Sequence, residues 1–319
     1  MKIAVLDDYQ HAALRMADWS IVTRDCGIQV FDDHLHDEDA LVARLAGFGI
    51  VAAMRERTAF PRRVLERLPD LRLIATTGMV NAAIDLAAAA DLGITVCGTG
   101  GKAEPTAELT WALILALLRD VQGADAAIRA GGWQTGIGID LNGRTLGIVG
   151  LGRLGAQVAA VGRAFRMRVL AWSPNLTPER AAAGGAEWAD RERLFGESDI
   201  VSVHMVLSTR TRGLIGAADF GRMRPDAFFI NTSRGPLVDE AALIDAVRSR
   251  RIAGAGLDVF DLEPLPADHP LRSLPNAILT PHIGYVTGDT YRVFFEETVQ
   301  NIRAFLDGAP VRVMKPRRR

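Results

Sequence analysis

The sequence is poor in cysteine, in lysine and in long apolar runs. Of its 319 residues two are cysteine, Cys26 and Cys97. Neither stands in a C-x-x-C pair, which excludes the usual zinc frameworks and dithiol redox motifs. Such sparing use fits a reducing compartment. Lysine occurs only at positions 2, 102 and 315, so nearly all the positive charge is arginine. Lys and Arg together number 37 against 38 Asp and Glu, a net charge of −1. Without an excess of positive charge no global field exists to hold nucleic acid or an anionic membrane, and neither is expected as a partner. The longest largely apolar stretch, 109–118, is far short of the roughly 20 residues that span a bilayer. The N-terminus, Met1-Lys2-Ile3-Ala4-Val5-Leu6-Asp7-Asp8, turns acidic too early for a secretory leader. A cytoplasmic protein is expected.

What is present is enough for a sizeable core: 49% of the residues are hydrophobic and 24% charged. At about 150 residues per domain the length points to two domains. Short β-rich runs alternate with helical stretches, the pattern of an α/β protein with parallel sheets. The strands read from the sequence are 2–6, 49–53, 71–76 and 94–97, then 145–149, 168–172, 200–204, 227–231, 254–257 and 277–279. The first group makes a small domain that ends at the Gly98-Thr99-Gly100-Gly101 punctuation. The segment 103–119 is apolar on nearly every face after Glu108, so it is expected to be fully buried, between domains or between subunits. Residues 289–306 form a terminal helix with Phe294, Phe295, Val299, Ile302 and Phe305 at helical spacing. The basic tail 315–319 is expected to fray. The fold class is α/β, with two Rossmann-like domains. A nucleotide domain, 101–284, is inserted into a substrate domain made of 1–100 and 285–319. The chain then crosses twice between domains, which implies a hinge.

Residues 147–155 read Gly-Ile-Val-Gly-Leu-Gly-Arg-Leu-Gly. A G-x-G-x-x-G formed by Gly150, Gly152 and Gly155 is a weak signal alone. Here an apolar strand precedes it and an amphipathic helix, 156–165, follows, which is the context a dinucleotide fold requires. The first glycine permits the tight turn, the second lets backbone approach a pyrophosphate, and the third lets helix and strand pack closely. The free N–H groups of the helix N-terminus then face the phosphates. The acidic residue that binds the ribose 2′-hydroxyl is expected about 20 residues on. That place, in Ala171-Trp172-Ser173-Pro174-Asn175, is taken by Ser173. A carboxylate repels a 2′-phosphate and a serine does not. The cofactor is therefore read as NAD or NADP, with a lean to NADP. Arg180 is the nearest cation for the phosphate.

Three later segments put ionisable residues at the ends of expected strands. They are Asn231-Thr232-Ser233-Arg234-Gly235, then Gly256-Leu257-Asp258 through Glu263-Pro264, and Leu279-Thr280-Pro281-His282-Ile283-Gly284. Ligands of an open parallel sheet bind beyond the carboxyl ends of its strands. Arg, Glu and His together suit carbonyl reduction. A histidine can protonate the alkoxide, a carboxylate on its other ring nitrogen fixes its orientation and favours the imidazolium, and a guanidinium can grip a carboxylate.

With these segments the chain resembles the D-isomer-specific 2-hydroxyacid dehydrogenase family, from about residue 75 to 302. The resemblance also takes in Thr77-Gly78 with Asn81 and Asp85, Ala107-Glu108, Gly131-Gly132-Trp133 and the run Ser198 to His204. It implies Arg234, Glu263 and His282 as catalytic residues: His282 the acid/base, Glu263 its partner, Arg234 the substrate clamp. Asp258 would bond the nicotinamide carboxamide. Arg153 and Leu154 would meet the pyrophosphate through backbone N–H groups, with Thr106, Thr232 and His204 also on the cofactor side. Backbone groups of Gly78 and Met79 would hold the substrate carboxylate, with Arg55 nearby. Lys102 is either a surface lysine or an extra cation at the substrate. Tyr285 stands where small residues are common and would line the substrate site or pack at the hinge. Met205-Val206 replaces a usual proline beside the adenine. No metal is expected. The apolar 103–119 helix and the Trp133 arm suggest a homodimer, as the resemblance also implies. Two other readings stay open on the same scaffold. One is a formate dehydrogenase, against which Glu263 argues. The other is a nucleotide-sensing corepressor, for which the sequence offers almost no extensions outside the core.

Overall fold

In a computed structural model the chain forms two units, described for residues 1–316. The first joins Met1–Lys102 to the segment from Val286 onward; the second is Ala103–Tyr285. Of the tail expected to fray, residues 317–319 lie outside the described residues.

The first unit is built on five parallel strands: β1 (Lys2–Val5), β2 (Gly27–Val30), β3 (Ile50–Ala53), β4 (Leu73–Thr76) and β5 (Thr95–Cys97), in the order β2-β1-β3-β4-β5. β3 and β4 are buried at every position, as strands covered on both faces must be. β2 has no fully buried residue. Sequence reading passes over it because Gly-Ile-Gln-Val has no apolar run and its alternation rests on two residues, Ile28 and Val30. The C-terminal segment closes the other edge, where Val313 bridges Cys97 and the Met314 N–H donates to Val96 O at 2.7 Å. The helix Gly288–Leu306 is started by Thr287, whose hydroxyl accepts from the Thr290 N–H. It buries Phe294, Phe295, Val299 and Ile302 and leaves Phe305 partly covered. Both cysteines are buried and free. Burial pushes the Cys97 thiol up to about 11, so it is inert at neutral pH.

The second unit holds seven parallel strands: β6 (Thr145–Val149), β7 (Arg168–Trp172), β8 (Glu187–Trp188), β9 (Ile200–Val203), β10 (Phe228–Asn231), β11 (Gly254–Leu257) and β12 (Ala277–Leu279). Their order is β12-β11-β10-β9-β6-β7-β8. The chain runs outward from β6 to β8, then returns to β9 on the other side of β6. This reversal is the topological switch point at which ligands of doubly wound sheets bind. β8, a two-residue edge strand, is too short to carry a sequence signal. One face of the sheet buries Phe195, Phe220, Phe229, Leu243 and Val247. The other buries Trp111, Ile114, Val158 and Ala159.

On that second face lies the helix Glu104–Arg119, whose Trp111 indole N–H donates to Val158 O at 3.2 Å. Burial all round does not hold within the chain. Glu104, Glu108, Ala112, Leu115 and Arg119, three or four residues apart, form an exposed stripe. Among the described residues no helix is long and apolar enough to cross a membrane, and no group of His, Cys, Asp or Glu is placed to hold a metal ion.

Candidate active site

The glycine loop leaves β6 with Gly150 at φ +101°, a conformation that side chains rarely adopt. A Cβ on Gly150 would lie 2.7 Å from His204 O, and one on Gly155 would lie 2.2 Å from Gly150 O. Gly155 therefore lets the helix Arg153–Ala164 begin directly against the turn. Gly152 caps that helix with no side-chain acceptor, and a Cβ on it would have nothing within 4 Å. His204 continues the β9 ladder, its N–H donating to Val149 O at 2.8 Å. Its Nε2 meets Ser202 Oγ at 2.9 Å, while Nδ1 is shut from solvent and has no partner among the described residues. Burial lowers its pKa from 6.5 to about 4, so the ring is neutral. Ser173, partly buried, follows β7 directly. Arg180 Nη1 is turned to Asn175 O at 3.2 Å.

After β10 the Asn231 side chain folds the next loop. Its Oδ1 accepts from the Ser233 N–H (3.0 Å) and its Nδ2 donates to Arg234 O (3.0 Å). Ser233 Oγ ties the loop to the end of β9 through Val203 O (2.8 Å). Arg234 is half-buried, with Nη1 donating to Ser233 O at 2.8 Å. The next residue, Gly235, is packed so tightly that a Cβ would lie 2.0 Å from the Phe260 carbonyl carbon. The loop carrying Arg234 thus abuts the loop carrying Glu263.

Glu263 folds back on its own loop, Oε1 accepting from the Phe260 N–H at 2.9 Å. Its other oxygen, Oε2, accepts from His282 Nδ1 at 2.5 Å. His282 Nε2 is the nitrogen left for a substrate. The histidine sits at φ +54°, and its loop is gathered onto Asp258. Asp258 Oδ1 accepts from Thr280 Oγ1 (2.6 Å) and the Ile283 N–H (2.8 Å), and Oδ2 accepts from the Gly284 N–H (2.8 Å). Burial pushes the Asp258 carboxyl above its usual range, opposed by these bonds and by His282. Thr106 Oγ1 donates to Gly284 O (3.1 Å), and Thr110 shares a 2.8 Å bond with Thr232 across the sheet end. The Tyr285 ring stands edge-on to His282, centroids 5.5 Å apart. Sequence reading does not find Thr280 or Thr110, because a lone threonine carries no signal of its own.

In the first unit Arg55 and Gly78 come together at the ends of β3 and β4. A Cβ on Gly78, at φ +84°, would lie 1.8 Å from Arg55 Nη1. The Arg55 N–H donates to Thr77 Oγ1 at 2.9 Å. The Gly78 N–H donates to the buried Thr99 Oγ1 at 2.8 Å, so it is already spent inside the protein. Met79 is exposed. Lys102 Nζ pairs with the exposed Asp289 Oδ2 at 3.0 Å.

Sequence comparison meets this geometry directly. The sequence model for the NAD binding domain of D-isomer specific 2-hydroxyacid dehydrogenase matches residues 111–284. The chain belongs to the D-isomer-specific 2-hydroxyacid dehydrogenase family. A glyoxylate reductase of Aeropyrum pernix is 42% identical over 255 residues, which is 77% of this dehydrogenase and 76% of that one. A D-3-phosphoglycerate dehydrogenase of Archaeoglobus fulgidus is 36% identical over 262 residues, 81% of this chain but 50% of its own length. Among solved structures, a phosphoglycerate oxidoreductase from Vibrio cholerae O395 superposes with a TM-score of 0.91 at 37% identity, covering 97% of this chain and 100% of that one.

As a 2-hydroxyacid dehydrogenase the chain is an oxidoreductase that works with a nicotinamide cofactor. Its residues fit one. The space over Gly152 and the uncapped helix start suit a pyrophosphate, and the neutral His204 adds no charge beside them.

Proposed function

We propose that this dehydrogenase interconverts a 2-oxo acid and its D-2-hydroxy acid, using NAD or NADP. The observation that carries the reading is the 2.5 Å bond between His282 Nδ1 and Glu263 Oε2, on the same carboxyl edge of the sheet as the glycine loop. The nicotinamide cofactor, when bound, supplies the hydride to C2 or accepts it. In the reducing direction His282 gives its Nε2 proton to the carbonyl oxygen as negative charge develops there, and in oxidation it takes that proton back. Glu263 holds the ring in register and stabilises the imidazolium. Arg234 grips the substrate carboxylate and polarises the carbonyl. Arg55, Met79 and Tyr285 are the further residues that the family resemblance assigns to the substrate; the Gly78 N–H, given to Thr99, is not free for it. Asp258, Thr106 and Thr232 stand at the nicotinamide end, Arg153 and Leu154 at the pyrophosphate, and Ser173 at the ribose.

Ser173 in place of a carboxylate supports NADP as the preferred cofactor. The relatives named glyoxylate reductase support a small unphosphorylated acid as substrate. A cytoplasmic homodimer is the proposed working form.

Initial rates with glyoxylate, hydroxypyruvate, pyruvate and phenylpyruvate, each with NADH and NADPH, test the whole reading. One acid is expected to turn over clearly, faster with NADPH. His282→Ala is expected to lose at least ~10²-fold in kcat, the scale of a positioned acid. Silence across the panel with cofactor still bound, or a His282→Ala variant with most of its kcat, would sink it.

A further inference from the structure

The acid/base pair depends on a loop that leaves β11 at Asp258 and carries Glu263. That loop is held by a residue outside it. Glu240 is the first residue of the helix Glu240–Arg248, a short step along the chain from Arg234. Its carboxylate reaches across in two directions. Oε2 accepts from the Asp261 N–H at 3.1 Å, and Oε1 meets His269 Nε2 at 3.1 Å. These two contacts grip the loop on either side of Glu263.

The tautomer of His269 follows from its other nitrogen. Nδ1 accepts the Leu271 N–H and caps the 3-10 turn Pro270–Ser273. The ring proton is therefore on Nε2, where it donates to Glu240. Both side chains are mostly covered, with 18% of Glu240 and 16% of His269 exposed, so the bond is partly shielded from water. Asp261 N also touches the place where a Cβ of Gly235 would stand, 2.5 Å away. The Phe260–Asp261 backbone is thus the point where the arginine loop and the glutamate loop meet. Phe260 offers its N–H to Glu263 and Asp261 offers its N–H to Glu240.

We propose that Glu240 is a positioning residue for the acid/base pair, its carboxylate clasping the Glu263 loop through Asp261 and His269. The proposal rests on reading His282 and Glu263 as that pair. Glu240 touches no reacting atom. It fixes the backbone from which Glu263 reaches His282, and a small displacement there is felt as lost reaction geometry rather than lost cofactor binding.

Two readouts test this. In Glu240→Ala, kcat is expected to fall about tenfold to a hundredfold, the scale for a catalytic group misplaced by around an ångström, with cofactor affinity unchanged. Glu240→Gln and His269→Ala each keep one of the two contacts and are expected to fall in between. The second readout needs no turnover. A histidine proton held in a short bond to a carboxylate resonates far downfield, and Glu263→Gln identifies the signal of His282 Nδ1 by abolishing it. In Glu240→Ala that resonance is expected to move or broaden. If Glu240→Ala does not fold, Glu240→Gln and His269→Ala carry both readouts. Wild-type kcat and an unmoved resonance in the folded variants would overturn the clasp. So would a kcat loss matched by lost cofactor affinity with the resonance in place, the mark of a merely structural residue. A wild-type protein that turns over no 2-oxo acid would refute the functional reading, while the resonance still decides the clasp.

Discussion

His204 stays neutral in the fold because its ring nitrogens are buried, while in the unfolded chain it titrates near 6.5. Between that value and about 4 the unfolded state binds a proton that the folded state refuses. The stability due to neutral His204 is therefore full above about pH 6.5 and is lost as the pH falls toward 4. By pH 5 the loss amounts to about 2 kcal/mol. Unfolding free energies from urea titrations at pH 7 and pH 5 should differ by that amount more in the wild type than in His204→Gln; equal differences would remove His204 from the account. Asp258 is the opposite case, a carboxyl whose burial favours its neutral form but whose three donors demand an acceptor at both oxygens. Asp258→Asn replaces one acceptor with an amide that faces a backbone N–H. The loop that holds His282 at φ +54° then loses an anchor, and kcat is expected to drop about a hundredfold. A variant with normal kcat would show that the remaining bonds suffice.

Two glycines of one turn separate folding from binding. A Cβ at Gly155 meets main chain at 2.2 Å, which cannot yield as a flexible side chain would. Gly155→Ala is expected to cost about 1–3 kcal/mol of stability and to weaken cofactor binding with it. A Cβ at Gly152 meets nothing within 4 Å. Gly152→Ala should melt like the wild type yet bind NADH and NADPH at least about tenfold more weakly, because the pyrophosphate needs that space. Melting curves and cofactor titrations check both, and a Gly152→Ala variant with normal affinity would move the phosphate site elsewhere. The same contrast marks what a sequence can disclose. Interior strands such as β3, β9 and β10 are legible because burial on both faces demands mostly apolar residues at successive positions. The edges β2 and β8 are not, since a half-exposed or two-residue strand needs no such run. The glycine loop and the segments ending in Arg234, Glu263 and His282 are legible because local spacing and strand ends carry them. The Gly78 N–H spent on Thr99, and Glu240 bonded to the backbone of Asp261, join residues 21 positions apart in each case, through contacts that leave no pattern in either stretch alone.

The oligomeric state of the whole molecule is argued from apolar side chains that the chain itself does not cover. The helix Val121–Arg129 buries none of its residues, and Val121 and Ile128 lie open on it. Beyond it Trp133 is 74% exposed and Ile137 fully so. Leu115 is also open, on the exposed stripe of the helix Glu104–Arg119. A monomer that kept so large an apolar surface in water would forgo about 25 cal/mol for every Å² left unburied, and clustered exposure of this kind marks an interaction surface. A second copy of the chain is the occupant already proposed, and a two-fold pairing would set the patch against itself. Light scattering should then give the wild type twice 34.5 kDa at micromolar concentration. A variant with Ile128→Glu, Trp133→Glu and Ile137→Glu should sediment at 34.5 kDa, because three buried carboxylates cost far more than the pairing returns. Each unit keeps its own core clusters without these residues, so the monomer should retain native circular dichroism. A wild type that runs as a monomer, or a triple variant that still pairs, would place the interface on another face and leave this patch for a different partner.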